Sequence, residues 1–113
     1  MIGEIIGAAV TVIVGVLCIA IGISNIGGNI SWVHTYHRKR VTEENRMAFG
    51  KMVGTGMIVI GIGIIFAGAL LAVALLIESK ICEIIAMVAM FASIIVGTVI
   101  AFRAMIKYNG GIF

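Results

Sequence analysis

The side chains able to do chemistry crowd into one stretch, Asn29 to Lys51, which reads NISWVHTYHRKRVTEENRMAFGK. It holds both histidines, five of the eight Lys/Arg and two of the five carboxylates. His34 and His37 stand three residues apart, a spacing that lets two imidazoles share a helix face and begin a metal site. A site needs further ligands, and only Glu43 or Glu44 is near enough in the chain to supply one. Histidines set among Trp, Tyr and basic residues are more often plain head-group contacts, so no metal and no cofactor is expected.

The remaining reactive groups are isolated. Cys18 falls inside a long apolar run and Cys82 in a short polar turn at the other end of the expected architecture, well beyond the ~7 Å Cα separation of a disulfide. Gly54-Thr55-Gly56 and Gly61-Ile62-Gly63 lack the preceding strand and third glycine of a dinucleotide fingerprint. No Asp, Glu, Lys, Arg or His lies deep in an apolar run, where ion- and proton-coupled transporters place charge. Thr11, Thr55, Ser93 and Thr98 are weak substitutes, and helix-to-helix or own-backbone hydrogen bonds explain them simply. Neither a nucleophile–base pair nor a carboxylate pair stands at that depth. The sequence does not read as an enzyme.

The elements that must carry these residues follow from composition. The chain is 62% hydrophobic and 12% charged, with a mean hydropathy of +1.25. A soluble domain is about half apolar and a quarter charged, and 113 residues are too few to hide the excess in a core. Three apolar runs account for it: Ile5–Ile23, Met52–Ile77 and Ile84–Ile106. Each approaches or exceeds the roughly 20 residues of a crossing helix. The expected fold class is therefore all-α: an integral membrane protein whose residues 1–113 form one transmembrane domain. Its spans are expected at about 5–24, 52–77 and 84–106, with a basic cytoplasmic loop over 27–51 carrying a short interfacial helix. The leading Met-Ile-Gly-Glu is acidic and no Ala-x-Ala site follows the first run, so that run is expected to stay as a span.

Gly27-Gly28 ends the first span. A helix over 31–39 would gather Ile30, Trp32, Val33 and Tyr36 on one side, which predicts an interfacial helix at the head-group level. Thr42 before Glu43 and Glu44 is a helix start, with a capping hydroxyl and two acids at the positive end of the dipole. The second long helix thus begins near Glu43, well before the bilayer. Glu78 to Glu83 is a tight polar turn, making the second and third spans an antiparallel hairpin.

Small residues recur with purpose. Ala8, Gly15 and Gly22 repeat every seven positions, as do Gly54, Gly61 and Gly68, with Gly56 and Gly63 as a second row and Gly50-x-x-x-Gly54 at the mouth. Ala89, Ser93, Gly97 and Ala101 repeat every four. Glycine weakens helices in water, whereas in membranes small residues let backbones approach. These faces are expected to pack the helices against one another or against copies.

The net charge of +3 sits beside span ends rather than on a nucleic-acid surface, so no nucleic-acid partner is expected. Trp32, Tyr36, His37, Arg38, Lys39 and Arg40 are the expected contacts to anionic lipid head groups or to a partner. The count of Lys/Arg places the N-terminus outside and the C-terminus in the cytoplasm of a plasma membrane.

The string Gly28-Asn-Ile-Ser-x-x-His-x-Tyr-His-Arg-Lys-Arg-Val-x-Glu-Glu-Asn-Arg46, followed by Phe49-Gly-Lys-x-Val-Gly54, resembles an uncharacterised family of small three-span membrane proteins of Gram-positive bacteria. The resemblance covers residues 28–64 and, in character, the flanking spans. It implies a three-span architecture and a bacterial origin and carries no mechanism. A fainter similarity is to multi-span immunity proteins that protect bacilli from their own membrane-active toxins, which have a comparable polar loop before a Gly-rich span. Their Trp and Arg pattern is not reproduced here. Two functions are expected: an accessory or immunity-type interaction subunit docking a membrane-protein partner through its small-residue faces and basic loop, or a homo-oligomer that transports an apolar or cationic solute.

Overall fold

The computed structural model describes residues 2–33 and 35–111, with Tyr36 through its backbone alone. Every described element is helical: α1 (Ile2–Ile26), α2 (Thr35–Arg38), a 3-10 turn over Glu43–Asn45, α3 (Arg46–Ile77) and α4 (Lys80–Asn109). Three stretches, Ile2–Ile26, Glu43–Ile77 and Lys80–Asn109, are each long and apolar enough to cross a membrane. The body measures 51 × 19 × 18 Å.

Helix ends are fixed by local chemistry. At the end of α1 the Gly28 amide donates to the Asn25 carbonyl (3.0 Å) and the Asn29 amide to Ser24 (3.1 Å). This paired closure needs a residue at positive φ, and Gly28 supplies it at +99°. The helix expected over 31–39 is cut to Thr35–Arg38. Asn29 is the reason: its Oδ1 accepts from the Ser31 amide (3.1 Å) and hydroxyl (2.5 Å), a side-chain capture that competes with helix formation. Trp32 and Val33 consequently part. Trp32 is 65% exposed, while Val33 is buried.

Before α3, the Thr42 hydroxyl accepts from the Asn45 amide at 3.3 Å, so the helical path does begin at Glu43. The α3–α4 connection is tighter than the polar stretch 78–83 suggested. Glu78 takes a left-handed conformation (φ 53°) and the Ser79 hydroxyl caps Cys82, leaving Lys80–Glu83 as the first turn of α4. α4 then runs past Ile106 to Asn109, where Gly110 (φ +73°) ends it.

α3 lies between α1 and α4 and touches both through backbone. Against α1, Gly68, Gly61 and Gly54 meet Ala8, Gly15 and Gly22 in antiparallel order. A Cβ on Gly15 would stand 2.8 Å from the Gly61 carbonyl oxygen, one on Gly22 2.7 Å from that of Gly54, and one on Gly68 3.2 Å from that of Ala8. The second glycine row faces α4: a Cβ on Gly63 would collide with Ser93, and one on Gly56 would stand 3.2 Å from the Ala101 amide, over the Gly97 carbonyl. Two heptad rows offset by two residues thus serve two neighbours, because a two-residue step turns a helix about 200°. Among the predicted packing residues, Ala89 is half-buried on α4, whose fully buried alanines are Ala86 and Ala104.

Candidate functional site at the basic end

The charges separate along the long axis. Glu4, Glu78, Lys80 and Glu83 line one cleft where α1 begins and α3 turns into α4. Arg38, Lys39, Arg40, Arg46, Lys51, Arg103 and Lys107 lie toward the other end, with Glu43 and Glu44. There Arg103 and Lys107 line a cleft with Met52, which Lys51 and Tyr108 flank in an adjoining one. Lys107 Nζ also stands 5.3 Å from the Tyr108 ring centre.

The loop between α1 and α3 is folded down onto this end. Val33 joins Phe49, Val53, Ala104 and Met105 in an apolar cluster, with Ile30, Val41, Met52 and Tyr108 packed around it. Phe49 is fully buried and meets Tyr108 edge-on, centroids 6.4 Å apart. Two polar anchors hold the chain on either side. Asn109, fully buried, accepts through Oδ1 from the Arg40 amide (2.6 Å) and donates through Nδ2 to the Gly111 carbonyl (3.0 Å). Arg46 donates through Nη1 to the Gly28 carbonyl (2.7 Å) and through Nε to Glu43 (3.0 Å), tying the end of α1 to the start of α3.

Above the cluster all four helices border a cleft of ≈ 220 Å³. Ile21 and Asn25 come from α1, Val53 and Met57 from α3, and Ala101 and Met105 from α4; Trp32, Val33 and His37 close it from the loop side. Asn25 is 1% exposed, and its Oδ1 is buried without a hydrogen-bond partner. The turn that holds Asn25 cannot shift easily. Its backbone carbonyl occupies the place a Cβ on Gly50 would need.

Of the predicted head-group contacts, Lys39 and Arg40 are exposed, and His37 and Arg38 are half-buried. Arg38 Nε donates to the Val33 carbonyl at 2.8 Å, holding the turn it follows. His34 and the Tyr36 side chain lie outside the described residues, and with them the His34/His37 pair. Among the described residues no group of three or more His, Cys, Asp or Glu could hold a metal ion. Thr11, Thr55 and Ser93 each donate to a carbonyl of their own helix. Cys18 and Cys82 are both free thiols.

Sequence reasoning missed Asn25 and Asn109. A signal existed for the first: Asn25 stands three residues past Gly22, which keeps it on the packed face of α1. For Asn109 the neighbouring Gly110-Gly111 signalled a helix end but not a buried amide.

The chain is thus an all-helical protein with three helices of membrane-crossing length, an architecture compatible with a multi-pass membrane protein. No protein-family model, curated protein or solved structure matches it.

Proposed function

We propose that the chain is a multi-pass accessory subunit of a bacterial plasma membrane, of the immunity type in the broad sense: a small protein that acts by associating with another membrane component. The observation that carries this reading is the backbone-close packing of α3 against both neighbours. Gly54, Gly61 and Gly68 are used against α1, and Gly56 and Gly63 against α4. No aqueous path fits between helices in such contact, so a conduit would need the space between copies. The surfaces left for a partner are the outward faces of α1 and α4 and the basic end. On α1, Ile6, Val10, Ile13 and Leu17 are all exposed, opposite the Ala8–Gly15–Gly22 face.

The excess of Lys/Arg at one end supports an orientation with the N-terminus outside and the loop and C-terminus in the cytoplasm. The 51 Å length exceeds the ~40–45 Å of a bilayer with its head groups, which leaves part of the chain beyond the head groups. Exposed Trp32 then sits at head-group level, with Lys39, Arg40, Lys51, Arg103 and Lys107 toward anionic lipid, each contributing about 1 kcal/mol near the surface. The likeness of residues 28–64 to the small Gram-positive family supports the bacterial source.

Native mass spectrometry on protein gently extracted from its own host membrane tests the reading. A complex with a different membrane protein, lost in Leu17→Trp, is the expected result. A homo-oligomer alone would replace it with the transport reading, and a bare monomer would overturn both.

A further inference from the structure

The buried Asn25 carbonyl oxygen calls for a donor that the described residues do not provide. An unpaired buried oxygen is as unfavourable as a lost hydrogen bond, and native structures satisfy such groups with water or ligand. The surroundings state what kind of donor fits. The cleft beside Asn25 is walled by Ile21, Val53, Met57, Ala101 and Met105, and no Lys, Arg, Asp or Glu is among its described lining residues. A charged group would enter without a counter-charge. A neutral donor on an apolar body would be satisfied throughout. An ether or ester, which only accepts, would leave this oxygen unpaired. Gly28 donates to the Asn25 backbone carbonyl and Gly50 packs against it, which holds this turn of α1 in place.

We propose that this cleft binds a hydroxyl-bearing amphiphile from the lipid phase, its O–H donating to Asn25 Oδ1 and its apolar chain lying against Ile21 and Met57. Trp32, more than half exposed, is among the residues that line the cleft. The proposal rests on the membrane reading above for the ligand's route.

The test uses the full chain in phosphatidylcholine vesicles, with an ω-bromo fatty alcohol and its methyl ether as probes. Bromine quenches tryptophan on contact, and Trp32 is the single tryptophan. The expected result is saturable quenching by the alcohol, about ten-fold tighter than by the ether, the scale of one buried hydrogen bond. Asn25→Leu should bring the alcohol to the ether's affinity and raise the unfolding midpoint of the empty protein. Ile21→Phe, which fills the cleft and keeps Asn25, should weaken the alcohol as much and guards against misfolding of the first variant. Equal affinity for alcohol and ether, or a preference that survives Asn25→Leu, overturns the proposal. So does quenching that rises without saturation, as expected if the cleft holds only water. Vesicle flotation before any probe is added separates the two readings. A chain that does not float with lipid refutes the membrane reading, whereas a floating chain without alcohol preference refutes the ligand alone.

Discussion

Gly61→Ala isolates the contact on which the α1–α3 pair depends. A Cβ there would stand 2.7 Å from the Gly15 carbonyl oxygen and 2.6 Å from Ile19 Cγ1. The isoleucine can turn away, but the carbonyl belongs to a helix backbone and cannot. Ordinary van der Waals contact begins at 3.4 Å, so the helices must part by several tenths of an ångström. They move as rods, so the opening is shared with Gly54–Gly22 and Gly68–Ala8. A gap on the order of 0.5–1 Å forfeits a quarter to a half of each dispersion contact, and overpacking of this kind costs about 1–3 kcal/mol. Alanine's better helix propensity offsets at most about 1 kcal/mol. The net expectation is a loss of about 1–2 kcal/mol, with Gly61→Leu far worse. Gly7→Ala is the control, because nothing lies within 4 Å of a Cβ on Gly7. Unfolding in mixed micelles of dodecyl maltoside and SDS, followed by circular dichroism and Trp32 fluorescence, gives both values. If the two variants agree within roughly 0.5 kcal/mol, the ordinary scatter of neutral surface changes, backbone contact does not hold this pair.

Three further outcomes can be read in the same assay. Glu78→Gly should stabilise by about 1 kcal/mol, since it removes a Cβ from a left-handed conformation. An unchanged or lower midpoint would mean that the carboxylate matters more than the strain. Asn109→Ala should cost about 1–3 kcal/mol by leaving the Arg40 amide unpaired, and limited proteolysis should then cut the loop around Arg38–Arg40 first. Phe49→Ala empties the centre of the apolar cluster and should cost about 3–5 kcal/mol. A small effect would show that the loop contributes little to the closure of the basic end.

The sequence made the three long helices legible because their apolar runs exceed anything a small core can absorb, and Thr42 marked the start of the second because its hydroxyl has one obvious use. The seven-residue glycine rows announced close approach but not its address. A row fixes a face, and which neighbour meets that face depends on where the other helices return. The α3–α4 turn is tighter than its polar stretch suggests, because Lys80, Ile81, Cys82 and Glu83 look polar as a group while Ser79 alone decides the cap. The loop misled most. Its aromatic and apolar residues fit a helix over 31–39, and a single Asn29 side chain redirected the chain before that helix could begin. Asn109 was illegible for a related reason: its burial depends on Arg40, a residue far away in sequence, whereas the spacing from Gly22 marked the face that carries Asn25 but not its unpaired oxygen.

The charge separation fits the helix dipoles as well as the proposed membrane orientation, and the two can be told apart. Antiparallel neighbours put the N-termini of α1 and α4 at the acidic end, with Glu4 and Glu83 in their first turns. The C-termini of the same helices lie at the basic end, where Arg46 reaches the Gly28 carbonyl and Lys107 occupies the last turn of α4. Glu4, Glu83 and Lys107 thus complement a helix dipole, an effect of about 0.3–1 kcal/mol at an exposed terminus, whereas Glu78 at the end of α3 and Lys80 at the start of α4 oppose one. Dipole stabilisation counts acids and bases alike, whereas orientation follows Lys and Arg with little weight for carboxylates. Glu4→Gln with Glu83→Gln should therefore lower stability by about 1 kcal/mol at low salt, less at high salt, and leave the orientation unchanged. Cysteine labelling of the two ends in sealed vesicles reads the orientation. Inversion in the double variant would show that carboxylates, not the basic loop, decide which way the chain faces.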